Sequence, residues 1–234
     1  MRRVGRQFEQ RQRQRRISVS KGRFEMPSIR YPVVRVYRTL KSNCPNIGTP
    51  AVFVRFADNS PQVDVDEFFE DFEDDKRPGA MTGREIGARI RVLAGGSISL
   101  VVLKGGEPLS HEIGPIVEDL IDAGFVVQVE TGGGAWTRLP VDSAFLSIVV
   151  LPDSDEVDRR VWNAARAFKY SVSMEHDLDI DGVPFGLAKP REGVSVFLEP
   201  KSGAARVANF EFARMACLHF GYRLSVSMDL MGGD

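Results

Sequence analysis

Cysteine and histidine are scarce in this chain. Its 234 residues include two cysteines, Cys44 and Cys217, and three histidines, His111, His176 and His219. The cysteines are too far apart in sequence for a local metal-ligand pair. Two reduced, partly buried thiols are the main reading, and a disulfide stays open as the alternative. No two histidines stand at helical or hairpin spacing, so no metal site is read from them. Long apolar runs are missing too. None reaches the roughly 18 residues of a membrane span, and the basic N-terminus lacks the apolar stretch of a signal peptide. The expectation is a cytoplasmic protein, or one within an assembled particle, with no membrane partner.

A composition that is 43% hydrophobic suits one sizeable domain with a real core. The net charge of −1 hides an uneven distribution. Residues 1–24 carry Arg2, Arg3, Arg6, Arg11, Arg13, Arg15, Arg16, Lys21 and Arg23 against Glu9 alone. That is +8, so the remainder carries −9. The arm is too polar to bury surface that would offset the entropy of ordering it. Two readings stand beside each other: a solvated tail, or an arm that binds phosphates or an acidic protein surface. The second implies a homo-oligomer or other subunits of an assembly as partner, or nucleic acid. The organisation expected is therefore an arm over residues 1–24 and one domain over residues 25–234.

From residue 31 apolar strands alternate with amphipathic helices. Strands are expected over 31–38, 51–56, 98–103, 125–130, 145–151, 168–173, 194–198 and 222–227. Helices are expected over 82–94, 112–124, 154–167 and 205–220. Ile86, Ile90 and Leu93 keep to one helix face, and Ile113, Ile116, Val117, Leu120 and Ile121 form a second stripe. Thr82 with Glu85 has the spacing of a capping box, and Gly124 stands where a glycine closes a helix. Near-continuous apolar runs such as 98–103 and 148–151 suit strands buried on both faces of a parallel sheet. The fold class expected is α/β with a largely parallel sheet of βα units.

Two loops carry candidate chemistry. Lys104-Gly105-Gly106-Glu107-Pro108-Leu109 follows a buried strand and precedes a helix. Adjacent glycines allow positive φ and close approach of the backbone, at the strand end where open α/β sheets take ligands. Glu107 could accept hydrogen bonds from an ammonium group. A tight strand–helix turn explains the same residues. Glu130-Thr131-Gly132-Gly133-Gly134 ends the next strand.

The order of these parts resembles the 7-carboxy-7-deazaguanine synthases, a radical S-adenosylmethionine family. The resemblance runs from Tyr31-Pro32-Val33-Val34 through the stretch Asn46 to Arg55. Lys104 to Leu109 resembles the family's Thr-Gly-Gly-Glu-Pro-Leu, and Glu130 to Gly133 resembles its Glu-Thr-Asn-Gly. Phe197-Leu198-Glu199-Pro200 and Tyr222 to Val226 resemble its two closing segments. The resemblance implies a partial, open βα barrel. It also implies that Gly105, Gly106 and Glu107 match the loop holding the methionine end of S-adenosylmethionine, that Glu130 lines that pocket, and that Arg55 matches an arginine near the substrate carboxylate, which a guanidinium grips with two parallel bonds.

The departures decide the functional expectation. The family's cysteine triplet would fall near Asn59, Val63 and Asp66, and none of these can ligate an iron–sulfur cluster as a thiolate does. Lys41-Ser42-Asn43-Cys44 replaces Gln-Gly-Glu-Gly, Lys104 replaces a threonine, and Ser227, Met228 and Asp229 replace Gln, Thr and His. The expectation is no iron–sulfur cluster, no catalytic residue and a vestigial pocket. In the missing cluster's place, residues 64–75 carry eight carboxylates in twelve positions. That segment reads as a solvated stretch anchored by Phe68, Phe69 and Phe72, as a divalent-cation site, or as a docking partner for the basic arm. The chain is expected to be a catalytically inactive relative serving as a structural or binding component of a larger assembly, virion or capsid included. The alternatives are a residual deazapurine-pathway enzyme and a protein that binds S-adenosylmethionine or a nucleoside.

Overall fold

The computed structural model describes residues 29–57 and 79–226. The basic arm, Asn59, Val63, Asp66, the acidic stretch 64–75 and Ser227, Met228 and Asp229 lie outside the described residues.

The chain opens with β1 (Arg30–Leu40), β2 (Pro50–Phe56) and β3 (Gly79–Thr82), followed by α1 (Gly83–Ala94). Next come β4 (Leu100–Lys104), a 3-10 turn (Pro108–Ser110), α2 (Gly114–Asp122), β5 (Val126–Thr131) and β6 (Leu146–Val150). The remainder is α3 (Arg159–Ala164), β7 (Ala167–Val172), β8 (Ser195–Pro200), α4 (Arg206–Phe220) and β9 (Arg223–Leu224). The nine strands of the described residues join one sheet in the order β3-β1-β2-β4-β5-β6-β7-β8-β9. Strand β1 is antiparallel to both its neighbours. From β2 onward every pairing is parallel.

Alternation along the strands gives the sheet two different faces. Val52, Val54, Val101, Leu103, Val127, Val129, Ile148, Val150, Phe168 and Leu198 point to the helices and form the main core with Ile86, Ile90, Val117, Leu120, Val161 and Ala213. The opposite face carries two small apolar clusters that draw on strands and loops alone. One is Tyr37, Ala51, Phe53, Leu100 and Val102. The other is Val149, Ala167 and Phe197, with Cys44 against it.

The first helix begins as its sequence requires. Glu85 N–H donates to Thr82 Oγ1 at 3.3 Å, and Thr82 N–H donates to Glu85 Oε2 at 2.7 Å. The helix expected over 154–167 is shorter: α3 covers Arg159–Ala164. Asp158 N–H donates to the Gly133 carbonyl at 2.8 Å, which keeps the preceding residues on the loop after β5. Asp158 then caps the helix through Arg160 N–H. Beyond Ala165 the chain is drawn into β7, where Ala167 pairs with Val149. The four-residue β3 and the 3-10 turn were not expected from the sequence.

Candidate functional site

Gly105, the first of the glycine pair after β4, is demanded by its neighbours. It has φ +75°, and a Cβ there would lie 2.6 Å from Arg55 Cγ and 2.9 Å from the Phe56 carbonyl oxygen. The loop therefore closes directly onto β2, with half-buried Arg55 lying against it.

Glu107 braces this loop to the next one. Its Oε1 accepts from Leu109 N–H at 3.0 Å and from the Thr131 hydroxyl at 2.6 Å. Its Oε2 accepts from Gly132 N–H at 3.1 Å. Thr131 Oγ1 in turn accepts from Gly133 N–H at 2.9 Å. Two strand-end loops are thus stapled by one carboxylate, whose roughly four lone-pair positions hold three chain donors.

Glu130 belongs to a different network, on the sheet face opposite the described helices. Register places charged residues side by side there: Arg55 pairs with Lys104, and Glu130 is one strand further on. Glu130 Oε1 lies 3.0 Å from Lys41 Nζ and accepts from Gln128 Nε2 at 2.8 Å. Lys41 Nζ also donates to Asn43 Oδ1. Asn46 Nδ2 donates to Gln128 Oε1 at 2.8 Å. Lys41 and Gln128 are fully buried and Glu130 nearly so. Burial alone pushes the Glu130 carboxyl up, but the charges of Lys41, Lys169 and Lys104 and the Lys41 hydrogen bond outweigh it and bring its pKa down to about 2.

The same face continues to β8. Lys169 Nζ lies 3.3 Å from Glu199 Oε2, which also accepts from the Ser225 hydroxyl at 2.7 Å. Ser225 Oγ accepts from Cys44 N–H at 3.2 Å, tying the loop after β1 to the end of the sheet. Lys104 Nζ sits 5.7 Å from the centre of the Phe53 ring.

The structure thus brings Gly105, Gly106, Glu107 and Arg55 together at the end of β4, while Glu130 faces a lysine-rich interior. Sequence reasoning missed Asn46, Gln128, Lys169 and Ser225, and it treated Lys41 as a departure without a role. Polar residues at alternate positions of an apolar strand, as in Gln128 and Glu130, are the signal that could have found the interior face.

Comparison with known proteins places this geometry. The 7-carboxy-7-deazaguanine synthase of Rhodospirillum rubrum is 33% identical over 214 residues, spanning 84% of this chain and 89% of that protein. The chain belongs to the 7-carboxy-7-deazaguanine synthase family. Synthases of the same name from Rickettsia prowazekii and Koribacter versatilis are each 30% identical, over 114 and 127 residues. They span 46% and 53% of this chain, and 46% and 54% of their own lengths. The crystal structure of QueE from Escherichia coli superposes with a TM-score of 0.62 at 22% identity, covering 85% of this chain and 94% of that one. That likeness supports the open, largely parallel α/β fold. No family model matches the chain.

An iron–sulfur cluster, implied by the family resemblance, needs three thiolates. The donor set does not fit it. The chain has two thiols, both free. Cys44 sits in the loop after β1 with its Sγ 3.9 Å from the Leu224 carbonyl oxygen. Cys217 is buried in α4, where desolvation raises its pKa.

Proposed function

We propose that this chain is a synthase-family member without radical chemistry, serving as a structural or binding component of a larger assembly, a virion or capsid among the candidates. The observation that carries the reading is the thiol inventory: two cysteines, one in a loop and one in a helix, against the three thiolates a cluster requires. In such enzymes the cofactor carries the hard chemistry, so its loss removes the reaction outright. The basic arm supports the assembly role, because it adds a strongly charged segment suited to an acidic partner. An inherited fold does not oblige an inherited activity.

Anaerobic reconstitution with iron and sulfide tests this. The expected product is colourless and takes up no stoichiometric iron. A brown protein with cluster absorbance would overturn the reading. One observation favours a second reading, a residual deazapurine-pathway enzyme or an S-adenosylmethionine- or nucleoside-binding protein. The Gly105-Gly106-Glu107 loop keeps its tight strand-end geometry. A brown, reconstituted protein would favour that alternative.

A further inference from the structure

The interior of the sheet holds a buried ion pair that the proposed function does not use. We propose that Glu130 and Asn43, with Gln128 holding the carboxylate, form a primary-ammonium pocket whose resident occupant is the chain's own Lys41. A soluble amine would then reach Glu130 only when the Lys41 side chain is absent.

Three observations carry this. First, the Lys41 ammonium is wholly enclosed and meets oxygen acceptors from two separate elements: Glu130 Oε1 on β5 and Asn43 Oδ1 in the loop after β1. An ammonium group offers three donors and no acceptor, so clustered oxygens suit it. Second, the tether is fixed. Lys41 N–H donates to the Thr49 carbonyl at 2.9 Å, and Gly48 N–H donates to the Lys41 carbonyl at 2.8 Å. Asn46, in the left-handed region at φ +72°, reaches Gln128 and pins the far side of the same loop. Third, the carboxylate does not depend on Lys41 alone for its charge. The charges of Lys169 and Lys104 also act on Glu130. Removal of the Lys41 side chain therefore leaves a carboxylate that still faces the Lys169 and Lys104 charges beside the space the side chain vacated, a combination that a small alkylammonium ion can satisfy. This inference goes beyond the proposed function, since it concerns what fills the interior and not whether the family's reaction survives.

The test is chemical rescue of Lys41→Ala by n-propylammonium, which supplies the atoms that this substitution removes. Thermal unfolding is followed at constant ionic strength, with tetramethylammonium and n-propanol as controls. Tetramethylammonium has the charge without N–H donors, and propanol has a similar chain without the charge. The expected result is a lowered melting temperature that rises saturably with n-propylammonium and with neither control, as binding to the folded state requires. Wild type, already occupied, and Lys41→Met, whose thioether chain fills the space of the lysine stem, should not respond. A folded Lys41→Ala without a saturable rise would overturn the proposal, as would an equal rise in all three proteins. If Lys41→Ala does not fold, refolding is compared with and without n-propylammonium. Recovery confined to the amine supports the pocket, and no recovery in either overturns it. Iron uptake in the reconstitution experiment would sink the loss of radical chemistry while leaving this rescue untouched, so the two failures are distinguishable.

Discussion

Glu130 shows how a single buried carboxylate can govern a pH response. Its ordinary value of 4.5 falls to about 2 in the folded chain because burial, which raises it, loses to the charges of Lys41, Lys169 and Lys104. A depressed folded value means that the unfolded state binds the proton more readily. The stability Glu130 contributes is therefore present above about pH 4.5 and is lost as pH falls towards 2. Glu130→Gln should cost about 3–5 kcal/mol near neutral pH, because it leaves Lys41 buried beside a neutral amide. The variant's melting temperature should also fall less steeply than wild type between pH 4.5 and pH 2. Calorimetry across that window checks both, and parallel curves would show that Glu130 is not the titrating group. Little of this was legible in the sequence. Lys41 and Glu130 are distant in the chain, and their encounter depends on how the loop after β1 folds across the sheet. Sequence comparison could register Lys41 as a replaced residue but could not supply its partner.

At the scale of elements, Glu107 is the staple between the loops after β4 and β5. The sequence offered it as an acceptor for an ammonium group or as part of a tight strand–helix turn, and in the structure three of its acceptor positions meet Leu109, Thr131 and Gly132. Glu107→Ala strands two backbone N–H groups and a hydroxyl. It should destabilise the chain by roughly 2–4 kcal/mol, given about 1–3 kcal/mol for each buried donor left unpaired and partial rescue by water. Amide exchange should accelerate in residues 105–109 and 131–133 before it does in β4 itself. Uniform acceleration across the sheet would mean that the carboxylate holds the fold and not the loops. Elements set by local signals were legible here. The Thr82–Glu85 box starts α1 where expected, and the apolar stripe of Ile116, Val117 and Leu120 faces the core. The start of α3 was not legible, because a tertiary hydrogen bond from Asp158 to the loop after β5 sets it.

For the whole molecule, the parallel sheet was legible because several strands are near-continuous apolar runs, and the family was legible because its motifs fall in order. Assembly is the question left to the charge distribution. An arm of +8 joined to a remainder of −9 can pair within one chain or with an acidic neighbour, and only the second changes the mass of the particle. Each exposed ion pair contributes only about 0–1 kcal/mol, so the association should be additive, salt-sensitive and dependent on the number of arginines. Deleting residues 1–24 should reduce the mass measured by light scattering at about 0.05 M salt. Raising the full chain to about 0.5 M salt, where screening shortens the interaction range to a few ångströms, should have the same effect. A mass unaffected by either change would remove the arm from assembly. Salt-dependent retention of DNA or RNA by the full chain, lost on deletion, would then assign it to phosphate backbones. A graded loss as Arg11, Arg13, Arg15 and Arg16 are replaced in turn would separate collective electrostatics from a single anchoring contact, because one anchor would abolish association in one step.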